Sequence, residues 1–178
     1  MYKPLIVGNW KMHGSLDSIT TFFEEFKASN KAQVVIMPPA IYLRDCISLK
    51  RGFWELGIQN VWTEYSGAYT GEISPSMVGD FGVSWVLIGH SERRNYQNET
   101  DELIRQKVKC SIEAGMNVIL CVGETMQERS SGAAQKVVAN QLETALKQGL
   151  RKEASKIVIA YEPVWAIGTG NSATEIEA

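Results

Sequence analysis

The chain is poor in the features that mark several broad protein classes. Its three cysteines, Cys46, Cys110 and Cys121, are odd in number, widely spaced and without a CxxC pair. That pattern fits neither a disulfide framework nor a zinc site and leaves them as buried reduced thiols. An excess of one charge is missing too. Lys and Arg total 18 against 20 Asp and Glu, a net charge of -2, and without a polybasic patch no nucleic-acid partner is expected. Long hydrophobic runs are also absent. The stretches Val83–Ile88 and Val118–Val122 fall far short of the ~20 residues that cross a bilayer. Leu5-Ile6-Val7, after Met1-Tyr2-Lys3-Pro4, is too short for a secretory signal. A cytoplasmic protein without membrane contact is expected. No Pro/Ser-rich linker or low-complexity tract interrupts the 178 residues, so one domain over 1–178 is expected.

What the sequence does have is a rhythm. Apolar runs recur at Leu5–Val7, Val34–Met37, Leu56–Gln59, Trp85–Ile88, Val118–Val122 and Ile157–Tyr161. Each is continuous rather than alternating, as suits strands buried on both faces. Helix-period segments lie between them. Ile19, Phe22, Phe23 and Phe26 form one stripe, with Ser15 or Asp17 placed to cap it; Leu103, Ile104, Val108 and Ile112 form a second after Thr100; Val137, Val138, Leu142 and Leu146 form a third. Strands alternating with helices require an α/β fold with parallel pairing and right-handed crossovers. Periodicity alone leaves an open doubly wound sheet and a barrel equally available.

In either architecture ligands gather beyond the carboxyl ends of the strands. Those positions carry Gly8-Asn9-Trp10-Lys11, Gly89-His90-Ser91-Glu92-Arg93-Arg94, Gly123-Glu124-Thr125 and Glu162-Pro163. Amide, amine, imidazole and carboxylate therefore converge on one rim. Each has a plain structural reading as well: Lys11 as a solvated charge, His90 as a hydrogen-bonded core neighbour, Glu162 as a surface carboxylate, and Arg93 with Arg94 as a solvated salt-bridge cluster, the reading kept for Arg94. What those readings leave unexplained is why such different functional groups occupy equivalent topological positions.

The stretches GNWKM (8–12), GAYTGE (67–72), IGHSERR (88–94), CVGET (121–125) and AYEPVWAIGTG (160–170), in this order and spacing, resemble the triosephosphate isomerase family over the whole chain. The resemblance implies a TIM (β/α)8 barrel, here cut to about six βα units, since members run to about 250 residues. It implies interconversion of dihydroxyacetone phosphate and glyceraldehyde 3-phosphate, in glycolysis and gluconeogenesis, with no cofactor and no metal. By resemblance Glu162 is the base, His90 the imidazole that donates to the enediolate oxygen, and Lys11 a fixed positive charge. Asn9 orients the lysine and the substrate oxygen, Glu92 pairs with the lysine, and Ser91 lies beside the base. A lid is implied over Pro163, Val164, Trp165, Ala166, Ile167, Gly168, Thr169 and Gly170, with a backbone N–H near Gly168 reaching the substrate phosphate. The connection from Asn60 to Pro75, carrying Tyr65, Tyr69 and Thr70, is implied to be the arm of a homodimer.

Three departures stand beside the resemblance. His13 and Asn171 replace an asparagine and a lysine frequent in the family, and the strands that supply the remaining phosphate loops lie beyond the pattern covered. A second reading follows from the last of these: a catalytically inactive partial barrel that associates through its open sheet edges. An aldolase-like lyase is disfavoured because it needs a Schiff-base lysine within a strand, whereas Lys11 follows one and Lys156 precedes one.

Overall fold

The computed structural model describes residues 3–147 and 150–167. They form one parallel sheet of six strands in sequential order: β1 (Leu5–Asn9), β2 (Gln33–Met37), β3 (Glu55–Ile58), β4 (Trp85–Ile88), β5 (Asn117–Val122) and β6 (Ile157–Tyr161). Every neighbouring pair is parallel. Helices intervene: α1 (Leu16–Glu25), α2 (Leu43–Leu49), α3 (Pro75–Asp80), α4 (Ser91–Tyr96), α5 (Asp101–Glu113), α6 (Met126–Ser130) and α7 (Ala134–Ala145). The result is an open, curled sheet, a partial TIM barrel, and it decides between the two closures that periodicity left open.

Two apolar layers explain why the strands read as continuous. One set of side chains, including Val34, Ile36, Leu56, Ile58, Val86, Ile88, Val118 and Leu120, packs outward against the helices. The alternate set, Val35, Met37, Trp85, Leu87, Ile119 and Cys121, faces the concave side, with Leu5, Val7, Val158 and Ala160 against it. A strand with both faces buried has no polar face to show, so alternation vanishes. The edge strands are the exception. Ile6 on β1 is 55% exposed and Ile159 on β6 is 44% exposed, because among the described residues each has a neighbouring strand on one side only.

Local chemistry sets the helix starts. Ser15, rather than Asp17, caps α1: its hydroxyl accepts from Ser18 N–H while Ser18 returns the bond to Ser15 N–H. Thr125 caps α6 in the same reciprocal manner with Glu128, whereas Thr100 caps α5 by a single bond, accepting Leu103 N–H. In the stripe Ile19, Phe22, Phe23 and Phe26, the three phenylalanine rings pack against Trp10 and Trp54, fixing the chain just past β1 and hence the start of the rim. All three cysteines are buried and free.

Candidate active site

The rim begins at β1. Lys11 has a left-handed backbone, φ +52°, unusual for a residue other than glycine. Side chains hold it there. Asn9 Oδ1 accepts Lys11 N–H at 2.9 Å, and Gln59 Nε2, just past β3, donates to Lys11 O at 3.0 Å and to Met37 O at 2.8 Å. The strained turn aims the amine across the rim to the start of α4, where Lys11 Nζ meets Glu92 Oε1 at 2.6 Å. Gln59 has no place in the sequence reading beyond ending a strand, and nothing in its neighbours marks it.

His90 is the N-cap of α4 and is nearly buried, its side chain 9% exposed. Nδ1 accepts the Glu92 backbone N–H at 3.2 Å. Glu92 Oε2 also lies 3.6 Å from Nδ1, too far for a hydrogen bond, and a nitrogen that accepts cannot also donate. The backbone contact therefore sets the tautomer and places the ring proton on Nε2. That atom points at the last strand, 3.4 Å from Glu162 Oε1. The other carboxylate oxygen of Glu162 accepts Ser91 N–H at 3.2 Å. Glu162 leaves β6 one residue past Tyr161, with its N–H on Val122 O at 2.7 Å.

Arg94, expected in a solvated salt-bridge cluster, does form an ion pair, with Asp101, but its side chain is largely buried rather than solvated. Its guanidinium donates to Gly89 O at 2.7 Å, to Cys121 O at 3.2 Å and to Asp101 at 2.6 Å. Beyond the point where β4 turns away, the tip of β5 has carbonyls without a strand neighbour, and buried peptide groups must find partners. Arg94 supplies one. Arg93 likewise is not merely solvated. It pairs with Glu99 at 2.6 Å, and Glu99 also holds the fully buried Lys107 at 2.6 Å, with Asn60 Oδ1 as a further acceptor for that lysine.

Glu124 is the functional-looking residue that sequence reasoning noted on the rim but left without a role. It is fully buried. It accepts from Tyr161 Oη at 3.0 Å and Trp165 Nε1 at 3.0 Å, and it pairs with Arg129 at 3.2 Å. The Arg129 guanidinium also lies 4.4 Å above the Trp165 ring. Burial alone would raise the Glu124 carboxyl, but hydrogen bonds from the backbone, Trp165, Tyr161 and Arg129 outweigh it and hold the group below the ordinary carboxylate range. The signal was present: an indole N–H in an otherwise apolar PVWAI segment needs a buried acceptor. Of the expected lid, Pro163 to Ile167 are described, turned by Ala166 N–H on Pro163 O at 2.8 Å. Gly168, Thr169, Gly170 and Asn171 lie outside the described residues.

The connection from Asn60 to Pro75 is tied at its base by Trp62 N–H on Ile73 O at 2.8 Å, and its Trp62 and Tyr69 rings lie 5.5 Å apart. Thr70 at its tip is exposed, as is His13.

A carboxylate, a donating imidazole and a held amine thus share one rim of a parallel partial barrel. The sequence model of the family described as "Triosephosphate isomerase" matches residues 4–178. The chain belongs to the triosephosphate isomerase family. The triosephosphate isomerase of Cupriavidus necator is 45% identical over 100% of this chain and 74% of its own length. That of Caldanaerobacter subterraneus subsp. tengcongensis is 44% identical, over 100% of this chain and 73% of its own. That of Herminiimonas arsenicoxydans is 46% identical, over 98% and 72%. Membership of the triosephosphate isomerase family accounts for the strand order, and the chain covers about three quarters of these relatives.

Proposed function

We propose that this rim is the proton-transfer half of a triosephosphate isomerase site, acting on dihydroxyacetone phosphate and glyceraldehyde 3-phosphate. We propose further that residues 1–178 by themselves have little turnover, because the family's phosphate grip is only partly within them. The observation that carries the first part is Glu162 Oε1 lying 3.4 Å from His90 Nε2, with the ring's proton fixed on that nitrogen by the Glu92 backbone.

The chemistry follows from these positions. Glu162 takes a proton from the carbon next to the substrate carbonyl, while His90 Nε2–H donates to the oxygen on which negative charge develops. Lys11 adds positive charge on the same side. The proton then returns to the neighbouring carbon and the hydroxyl proton moves to the other oxygen, so nothing is oxidised or reduced overall. Neither a metal nor an organic cofactor is called for. To act, Glu162 must leave Ser91 N–H and Lys11 must share its contact with Glu92, both of which a bound substrate can compete for.

A remote phosphate dianion contributes binding energy that a small substrate otherwise lacks, so losing part of its cradle lowers kcat as well as raising KM. In this reading the exposed arm at Tyr69 and Thr70 meets a second copy, the full-length protein is a cytoplasmic homodimer serving glycolysis and gluconeogenesis, and the chain alone associates through its open edges.

Deuterium uptake from D2O into dihydroxyacetone phosphate, followed by NMR, reads the first proton transfer even where net turnover is slow. The parent chain is expected to exchange measurably and Glu162→Gln not at all above buffer. Equal uptake by the two proteins overturns the assignment of the base.

A further inference from the structure

We propose that Gln141, on α7 and away from the rim, is a positioning residue for Glu162 that acts through Gly123; the inference rests on the reading of Glu162 as the base. The tip of β5 holds the start of the lid from one side. Val122 O accepts Glu162 N–H at 2.7 Å, and Glu124 O accepts Val164 N–H at 3.2 Å. Gly123 lies between these two residues, and in a pleated ladder its own N–H and C=O face the opposite way. That side is where β4 has already ended, at Ile88. The carboxamide of Gln141 takes the place of the missing strand: it accepts Gly123 N–H at 2.9 Å and donates to Gly123 O at 3.1 Å. Gln141 is only 8% exposed.

Gly123 in turn lies against the backbone of Glu162. A Cβ at this position would stand 1.8 Å from Glu162 O and 2.7 Å from Glu162 C. With no side chain as a spacer, the Gly123 peptide is the surface against which the Glu162 peptide rests, so a rotation of one is passed to the other. Buried peptide groups that lose their partners turn toward new ones. Among ordinary side chains, only a carboxamide offers a donor and an acceptor side by side in the geometry of a peptide. Arg94 donates to Cys121 O, two residues earlier on the same edge, but a guanidinium can accept nothing in return. The two side chains together complete the free edge of β5: Arg94 holds Cys121, whose thiol faces the Glu162 carboxylate, and Gln141 holds Gly123, which backs the Glu162 peptide.

The test compares Gln141→Met, which keeps length and loses both hydrogen bonds, with Leu142→Ala, a change on the same helix that removes core packing without touching Gly123. In the full chain three quantities are read: hydrogen exchange at Gly123 N–H, the pH titration of the Glu162 carboxyl carbon by NMR, and deuterium uptake into dihydroxyacetone phosphate. For Gln141→Met the expected result is Gly123 exchange faster by roughly tenfold or more, a displaced Glu162 titration, and uptake lowered by roughly 10- to 100-fold at unchanged substrate affinity, as befits a base moved by about 1 Å. Leu142→Ala is expected to lower the urea midpoint while leaving the Glu162 titration in place. A Glu162 curve in Gln141→Met that superimposes on the parent overturns the inference, and so does an equal displacement in both variants. If the curve moves only in Gln141→Met while Glu162→Gln exchanges deuterium as fast as the parent, the positioning inference stands and the isomerase reading fails. Should Gln141→Met not fold, Gln141→Glu keeps the acceptor, loses the donor, and gives the same readings.

Discussion

At the residue scale, burial and reach decide what each group can do. Cys46 is fully buried, and desolvation, helped by neighbouring Asp45, pushes its thiol up to about 11. At pH 8 its thiolate is therefore on the order of 100-fold scarcer than that of an ordinary thiol. Burial raises the Cys121 thiol as well, with the carboxylate of Glu162 adding to it. Iodoacetamide is expected to modify both slowly in the folded chain and quickly in urea, with peptide mapping to locate the label; prompt labelling of either in the folded chain contradicts this. Glu162 illustrates reach. Glu162→Asp keeps the charge but withdraws it by about 1 Å, which is expected to cost on the order of 100-fold in deuterium uptake with little change in substrate affinity. Equal loss of affinity and uptake would instead mark Glu162 as a binding group.

At the element scale, the segment that follows β6 is latched and α5 is anchored, each by a buried carboxylate. Glu124 ties Tyr161 at the end of β6 to Trp165. Because its folded carboxyl lies below the ordinary value of 4.5, the latch is at full strength above that value and is lost as pH falls through the depressed one. A 19F label on Trp165 is expected to report release on acidification below about pH 4.5 in the parent and a flat profile in Glu124→Gln. A release midpoint above the ordinary value would reverse the sign and refute the assignment. On α5, Lys107 is held by Glu99 although burial lowers its affinity for a proton, with Glu99 opposing that effect. Lys107→Met leaves Glu99 buried with Arg93 as its remaining cation. The expected loss is about 3–5 kcal/mol in urea unfolding, the usual result of removing one partner of a buried pair. A loss below about 1 kcal/mol would mean that Arg93 alone compensates Glu99.

At the scale of the whole molecule, the two edges govern behaviour. Among the described residues, β1 and β6 each offer a row of backbone groups and an uncovered apolar residue, Ile6 and Ile159. Unpaired parallel edges recruit other strands. Residues 1–178 alone are expected to sediment as concentration-dependent oligomers. In a coupled assay with glyceraldehyde 3-phosphate they are expected to turn over far more slowly than a chain extended to the length of its relatives. A stable monomer with turnover equal to the extended chain would refute both.

The sequence by itself determined the alternation of strands and helices, because each strand is an apolar run and each helix a 3.6-residue stripe, and both patterns are local. Its polar residues at the strand ends, and the motifs that tie them to the family, marked Asn9, Lys11, His90 and Glu162 as residues to examine together. Element ends were legible only to within a residue or two: β1 continues through Gly8 and Asn9 because pairing with Ile36 and Met37, not hydrophobicity, extends it. Only the tertiary structure decided the partners of Arg94, Glu124, Gln59 and Gln141. Each is a polar side chain that satisfies a peptide group or an indole far away in the chain, and no local pattern announces such a bond. The same holds for Gly123, whose lack of a side chain matters solely because Glu162, brought alongside by the β5–β6 pairing, passes so close.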